Sequence, residues 1–151
     1  MTAARVRSAV LVLLAGLVWA IVYGLVWGVA WFGFMRAAWY DALADGNRQM
    51  PWSEIWSIWA VLSVPLGIAT AAYLRQRNRV VPSSKALLAV VLVLWVPMTI
   101  GMFGWAWYES ISLALIAVDS AVNLVGLAGA SLLARALVTR RESQHAVPSA
   151  S

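Results

Sequence analysis

An all-α, integral membrane four-helix bundle is the fold this sequence predicts, and three observations carry that expectation. Hydrophobic residues make up 63% of the 151 and charged residues only 11%, a balance that a short water-solvated chain does not have. The apolar residues gather into four long runs, at about residues 9–34, 55–74, 86–108 and 111–134. Of the eleven Lys and Arg residues, all but Arg36 and Arg48 flank one set of ends of those runs. By the positive-inside rule that side is cytoplasmic, which gives a multi-pass protein of the cell membrane with both termini inside.

The first run is roughly 39 Å long as a helix at 1.5 Å per residue, against a hydrocarbon core of roughly 30 Å, so it must tilt or protrude. Arg5 and Arg7 precede it as in a secretory signal, but the run is too long for a cleavable one. Residues Met35 to Leu43 keep helical character, predicting a short interfacial extension that carries Trp39 and Tyr40 before the turn residues Asp45, Gly46 and Asn47. Pro51 suits a first helical position and Glu54 the positive end of a helix dipole, so the second helix starts there. It ends at Arg75, Arg77 and Arg79. Pro82, Ser83 and Ser84 then supply a break and a cap for the third run. Only Glu109 and Ser110 separate the third run from the fourth, which predicts a tight antiparallel hairpin. Residues 1–141 form the membrane domain in this reading, and the polar segment 142–151 is an expected disordered cytoplasmic tail.

A weak internal repeat is visible. Trp19, Gly28, Ala30, Trp31 and Phe32 recur as Trp95, Gly104, Ala106, Trp107 and Tyr108, and Leu66-Gly67-Ile68-Ala69 echoes Val125-Gly126-Leu127-Ala128. It predicts two repeated helical hairpins about a pseudo-twofold axis, although low-complexity apolar helices also match by chance.

The net charge of +5 sits in short clusters at helix ends, where anionic headgroups account for it. The bilayer is the expected partner and nucleic acid is not, since no basic surface interleaved with aromatics accompanies the charge. With no cysteine in the chain, disulfides, thiol catalysis and thiolate metal sites are excluded. The one histidine, His145, lies in the polar tail, so no metal site or bis-histidine haem is expected within one chain, and no cofactor motif is present.

Asp119 is the residue that demands an explanation. It lies inside the fourth run, where an ionisable group costs about 2.5 to 3.5 kcal/mol on insertion scales. Ser112, Asp119, Asn123, Gly126 and Ala130 fall along one face of that helix, a polar and small seam expected to face inward. Tyr23, Ser63 and Thr99 lie at comparable depth in the other three helices, and with Asp119 and Asn123 they form an expected polar layer. Interhelical hydrogen bonding would explain such a layer, and so would a pocket or proton site with Asp119, and Glu109 nearer the surface, as candidate acids.

Ten tryptophans are unevenly placed, with Trp27, Trp31, Trp39, Trp52, Trp56, Trp59, Trp105 and Trp107 all in the half away from the termini. Two readings account for them: an aromatic belt at one interface, or an aromatic-walled cavity suited to a cation, with Trp27 and Trp31 among its ligand contacts. Trp19, Tyr23, Trp27 and Trp31 recur every four residues as a drifting stripe. Gly24 and Gly28 form a Gly-x-x-x-Gly pair, and with Gly67 and Gly126 they are the expected sites of close helix packing. Pro65 and Pro97 lie inside the second and third runs.

Three functions fit these features. The first is an accessory or assembly subunit that recognises a membrane-protein partner, or a second copy of the chain, through small residues. A small transporter or proton-linked permeation unit would use Asp119 as its titrating group. An intramembrane isomerase or cyclase would act on a lipid-soluble substrate, with Asp119 or Glu109 as acid and indoles facing a developing cation.

Overall fold

In the computed structural model, residues 3–44, 52–77, 83–109 and 111–144 are described, and they form a bundle of four long helices. The first rod comprises α1 (Ala3–Ala30), a π-helical turn (Trp31–Met35) and α2 (Arg36–Ala44). It is followed by α3 (Trp52–Arg77), α4 (Ser83–Glu109) and α5 (Leu113–Gln144). Each of the four rods contains a stretch long and apolar enough to cross a membrane: Arg5–Ala42, Trp56–Arg77, Ser84–Tyr108 and Leu113–Thr139. The outer face of each is apolar as well. Val29, Val61, Val93 and Val125, one per rod, are 73, 71, 69 and 63% exposed, which leaves a greasy surface that lipid rather than water suits.

The rods exceed the expected spans at several ends. The segment expected to be an interfacial extension continues the first rod, and α5 runs to Gln144, three residues into the segment expected to be disordered. Its last turns are rich in Arg, a good helix former that also suits a helix C-terminus. The turn residues Asp45 to Asn47, Pro51 and Pro82, and His145 with the tail beyond it, lie outside the described residues. Helices α3 and α4 run through Pro65 and Pro97. As expected, α4 and α5 are joined by a tight turn, closed by the Ile111 amide donating to the Ala106 carbonyl at 2.9 Å.

Two cores hold the bundle. Towards the chain ends, Ala15, Trp19, Ala71, Leu127, Ala130 and Ala134 pack together. Near the α4–α5 turn, Trp31, Met35, Trp39, Ala106, Ile111 and Ile116 form the second. In the first core α1 and α3 nearly touch backbone to backbone: a Cβ on Gly16 would lie 2.6 Å from Ile68 Cα, and one on Gly67 would collide with the Gly16 carbonyl. The Trp19 indole donates to Ser131 Oγ at 2.9 Å and Arg75 Nη1 to the Ser8 carbonyl at 3.0 Å, tying α1 to α5 and to α3.

The helix contacts are less symmetric than a twofold repeat requires. Helix α1 packs extensively on α5, whereas α3 and α4, the pair that a twofold axis would make equivalent, meet far less. The shortfall leaves room inside the bundle.

Candidate functional site

That room is a cavity of about 530 Å³ in the half of the bundle nearer the α4–α5 turn. Indoles from every rod but α5 wall it: Trp27, Trp31 and Trp39 from the first, Trp56 and Trp59 from α3, and Trp105 from α4. Trp27 and Trp31 stack with centroids 5.3 Å apart and planes 10° off parallel, and Trp56 meets Trp27 edge-on at 4.7 Å and 71°. Trp39 stacks on Trp105 at 5.7 Å, drawing the end of the first rod over the cavity. Trp39 is 3% exposed, so it is a core residue and not the interfacial anchor its position in the chain predicted. Trp107, at 81% exposed, keeps the outward position of a belt residue, while the Trp52 side chain lies outside the described residues.

The π turn explains how one rod aims so many aromatics at one place. Residues four apart drift by about 40° around an α-helix, so Trp19, Tyr23, Trp27, Trp31, Met35 and Trp39 would wind off a common face. At Trp31–Met35 the Arg36 amide bonds back to the Trp31 carbonyl, five residues earlier, and this wider turn takes up part of the drift. Trp31, Met35 and Trp39 consequently stay buried.

The cavity reaches the side of the bundle. Gly24, Ile21 and Leu25 of α1 and Ala60 and Trp59 of α3 border it while remaining exposed. The window they frame is closed at one end by the Gly16–Gly67 contact and at the other by the Trp27–Trp56 contact. Eleven residues separate these contacts on each helix, roughly 16 Å at 1.5 Å per residue. Within that interval Gly24 has open space around it, as does Gly28 beyond it, an added Cβ meeting nothing within 4 Å at either. Neither supports close packing inside the chain; the α1–α3 backbone contact falls at Gly16 and Gly67 instead. Gly126 does sit against a neighbour, with Tyr23 Cδ2 at 3.0 Å from an added Cβ.

At the inner wall a short chain of hydrogen bonds ends on Asp119. Tyr23 Oη donates to Asn123 Oδ1 at 2.6 Å. Asn123 Nδ2 in turn donates to Asp119 Oδ1 at 3.1 Å and to the Asp119 carbonyl at 2.9 Å, one helical turn back. The Trp27 indole supplies a further, longer bond to the same Oδ1, at 3.3 Å. Asp119 and Asn123 are buried and both line the cavity.

The other members of the expected polar layer go elsewhere. Thr99 pairs with Ser120 at 2.7 Å, and Ser63, though it borders the cavity, donates to the Ala60 carbonyl at 3.0 Å. Neither hydrogen-bonds to Asp119: Thr99 faces the α4–α5 seam, and the Ser63 hydroxyl folds back on its own helix. Ser112 is exposed ahead of α5 and leaves the inward seam altogether. The Glu109 and Glu54 side chains lie outside the described residues. Among the described residues no group of three His, Cys, Asp or Glu side chains could hold a metal.

Sequence reasoning missed Ser120 and Ser131, whose partners are Thr99, Trp95 and Trp19, and the methionines Met98 and Met102 that floor the cavity. The spacing of Asp119, Ser120, Asn123 and Ser131 on α5 carried part of this signal. Known protein families, curated proteins and solved structures give no match to this chain. What it does has to be argued from the cavity.

Proposed function

We propose that this chain is a multi-pass protein of the cell membrane that binds a lipid-soluble ligand in its indole-walled cavity, entered sideways from the bilayer. One observation carries the reading: an apolar cavity of about 530 Å³ with a rim on the exposed side of the bundle and, among the described residues, one carboxylate at its inner wall. The size falls in the usual range of small-molecule sites, and such sites pair apolar walls with a few placed polar groups. The orientation, with both termini cytoplasmic, is supported by Arg5, Arg7, Arg75, Arg77, Lys85 and Arg135 gathering at one end of the rods.

Native mass spectrometry of the protein taken gently from its membrane tests this. The expected result is one apolar small molecule per chain, lost from the Trp27→Ala protein. Chains that never carry such a molecule, and that take up none when soaked with membrane lipid extract, would overturn the reading.

An assembly role has its own observation. Gly24 lies exposed and Gly28 half-buried on α1, and an added Cβ at either would meet nothing, a surface that another helix could approach closely. Because the chain contains no cysteine, Leu25→Cys gives a single reporter thiol. A disulfide dimer, or a specific crosslink to a copurifying membrane protein, is the outcome this reading requires; monomers at all concentrations would exclude it for this face.

A further inference from the structure

We infer that the ligand is a lipid-soluble organic cation, an amine on a hydrocarbon frame, held with its charged nitrogen between Asp119 and the Trp27–Trp31–Trp56 corner. The inference rests on the cavity-binding reading above and specifies its ligand.

Hydrogen-bond accounting at the inner wall comes first. Donors converge on one oxygen of the Asp119 carboxyl: both the Trp27 indole and the Asn123 amide reach Oδ1. No described residue donates to Oδ2, although the residue is only 4% exposed and lines the cavity. The neighbouring donors are already committed, Tyr23 to Asn123 and Ser63 to the Ala60 carbonyl. The wall therefore offers an acceptor and asks the ligand for a donor. An acceptor that opens onto an apolar cavity favours a guest that answers it over one that does not.

Charge points the same way. No Lys, Arg or His is among the described residues that line the cavity, so these supply no countercharge to the carboxylate there. Facing it are indole rings. Trp27 and Trp31 present one stacked wall, and Trp56 stands nearly perpendicular to both, at 71° and 79°. Indole faces are the best side-chain partners for a cation, and their attraction grows when water is excluded. A carboxylate would be repelled by Asp119, and a neutral hydrocarbon would leave Oδ2 unmet. A protonated tertiary amine satisfies both features, its N–H reaching Oδ2 and its methyl groups meeting the rings.

The test is calorimetric titration of the full chain in lipid nanodiscs, with protein-free discs as the blank. Two probes are compared: protonated 2-naphthylethyl-dimethylamine, and its uncharged carbon isostere with isopropyl in place of dimethylammonium. The expected result is that the amine binds at least about 10-fold more tightly than the isostere. In Asp119→Asn that preference falls to about 2-fold or less while isostere binding is kept, which shows that the cavity is still formed. Trp56→Phe weakens the amine more than the isostere. Equal affinity of the two probes for the native chain would overturn the cation inference and leave cavity binding standing. Saturable binding of neither would remove the cavity reading as well. A preference that survives in Asp119→Asn would also overturn the inference.

Discussion

The two cores of this bundle meet the same demand, holding apolar helices together without help from water, with opposite kinds of residue. Near the chain ends Gly16, Gly67, Ala15, Ala71 and Ala130 let backbones approach to contact distance, and the fully buried Trp19 finds its hydrogen bond in Ser131. Near the α4–α5 turn the contacts are ring on ring, with Trp39 on Trp105 and Trp56 against Trp27. Small residues produce a seam with no space left over. Rigid indoles touch at their edges and faces and hold the helices apart, and the space between them is the cavity. Where helices of this kind pack on small side chains they are built to stay closed; where they pack on aromatics they are built to admit a guest.

Substitutions can break that contrast, and the largest effect is expected at the closed core. Gly67→Val drives a side chain into the Gly16 carbonyl and should cost about 3 kcal/mol or prevent folding, read as loss of helicity and earlier unfolding in mixed detergent micelles. Unfolding at the wild-type midpoint would show that α1 and α3 do not meet there. Next comes Ser131→Ala, which strands the Trp19 indole N–H and should cost about 1 kcal/mol in the same assay. Thr99→Val removes one hydroxyl pair with Ser120 and should cost about 0.6 kcal/mol. Smallest is Gly24→Ala, expected within about 0.5 kcal/mol of wild type because the added methyl enters open space. A loss there as large as at Gly67 would mean that a partner helix covers the Gly24 stripe.

The sequence was most legible where one property repeats over many residues. Four apolar runs gave four rods, and the two-residue gap at Glu109 and Ser110 gave the hairpin turn. Asp119 and Asn123 stood out because a carboxylate and an amide one turn apart in an apolar helix have few places to go, and the structure sets both at the cavity wall. Two things were not legible. Which glycines make backbone contact depends on the rotation of each helix about its axis, which a period alone does not set, so the Gly-x-x-x-Gly pair drew notice while the contact lay at Gly16. The destination of Trp39 depended on the π turn, whose five-residue bond leaves no compositional mark in Trp31–Met35. Without that turn an aromatic eight residues past Trp31 is placed at the rim, where the interfacial reading had put it.

The most direct measurement of the central claim is contact quenching of the indoles by 1-bromonaphthalene, a compact apolar molecule whose heavy atom quenches tryptophan at close range. For the native chain in nanodiscs, quenching should saturate at one molecule per chain. In Ala60→Phe, which narrows the window from its rim without touching Asp119, the saturable part should fall by about tenfold in affinity, while the fold is kept. Quenching that rises linearly with the probe's membrane concentration, the same in both proteins, would contradict a cavity open to a ligand.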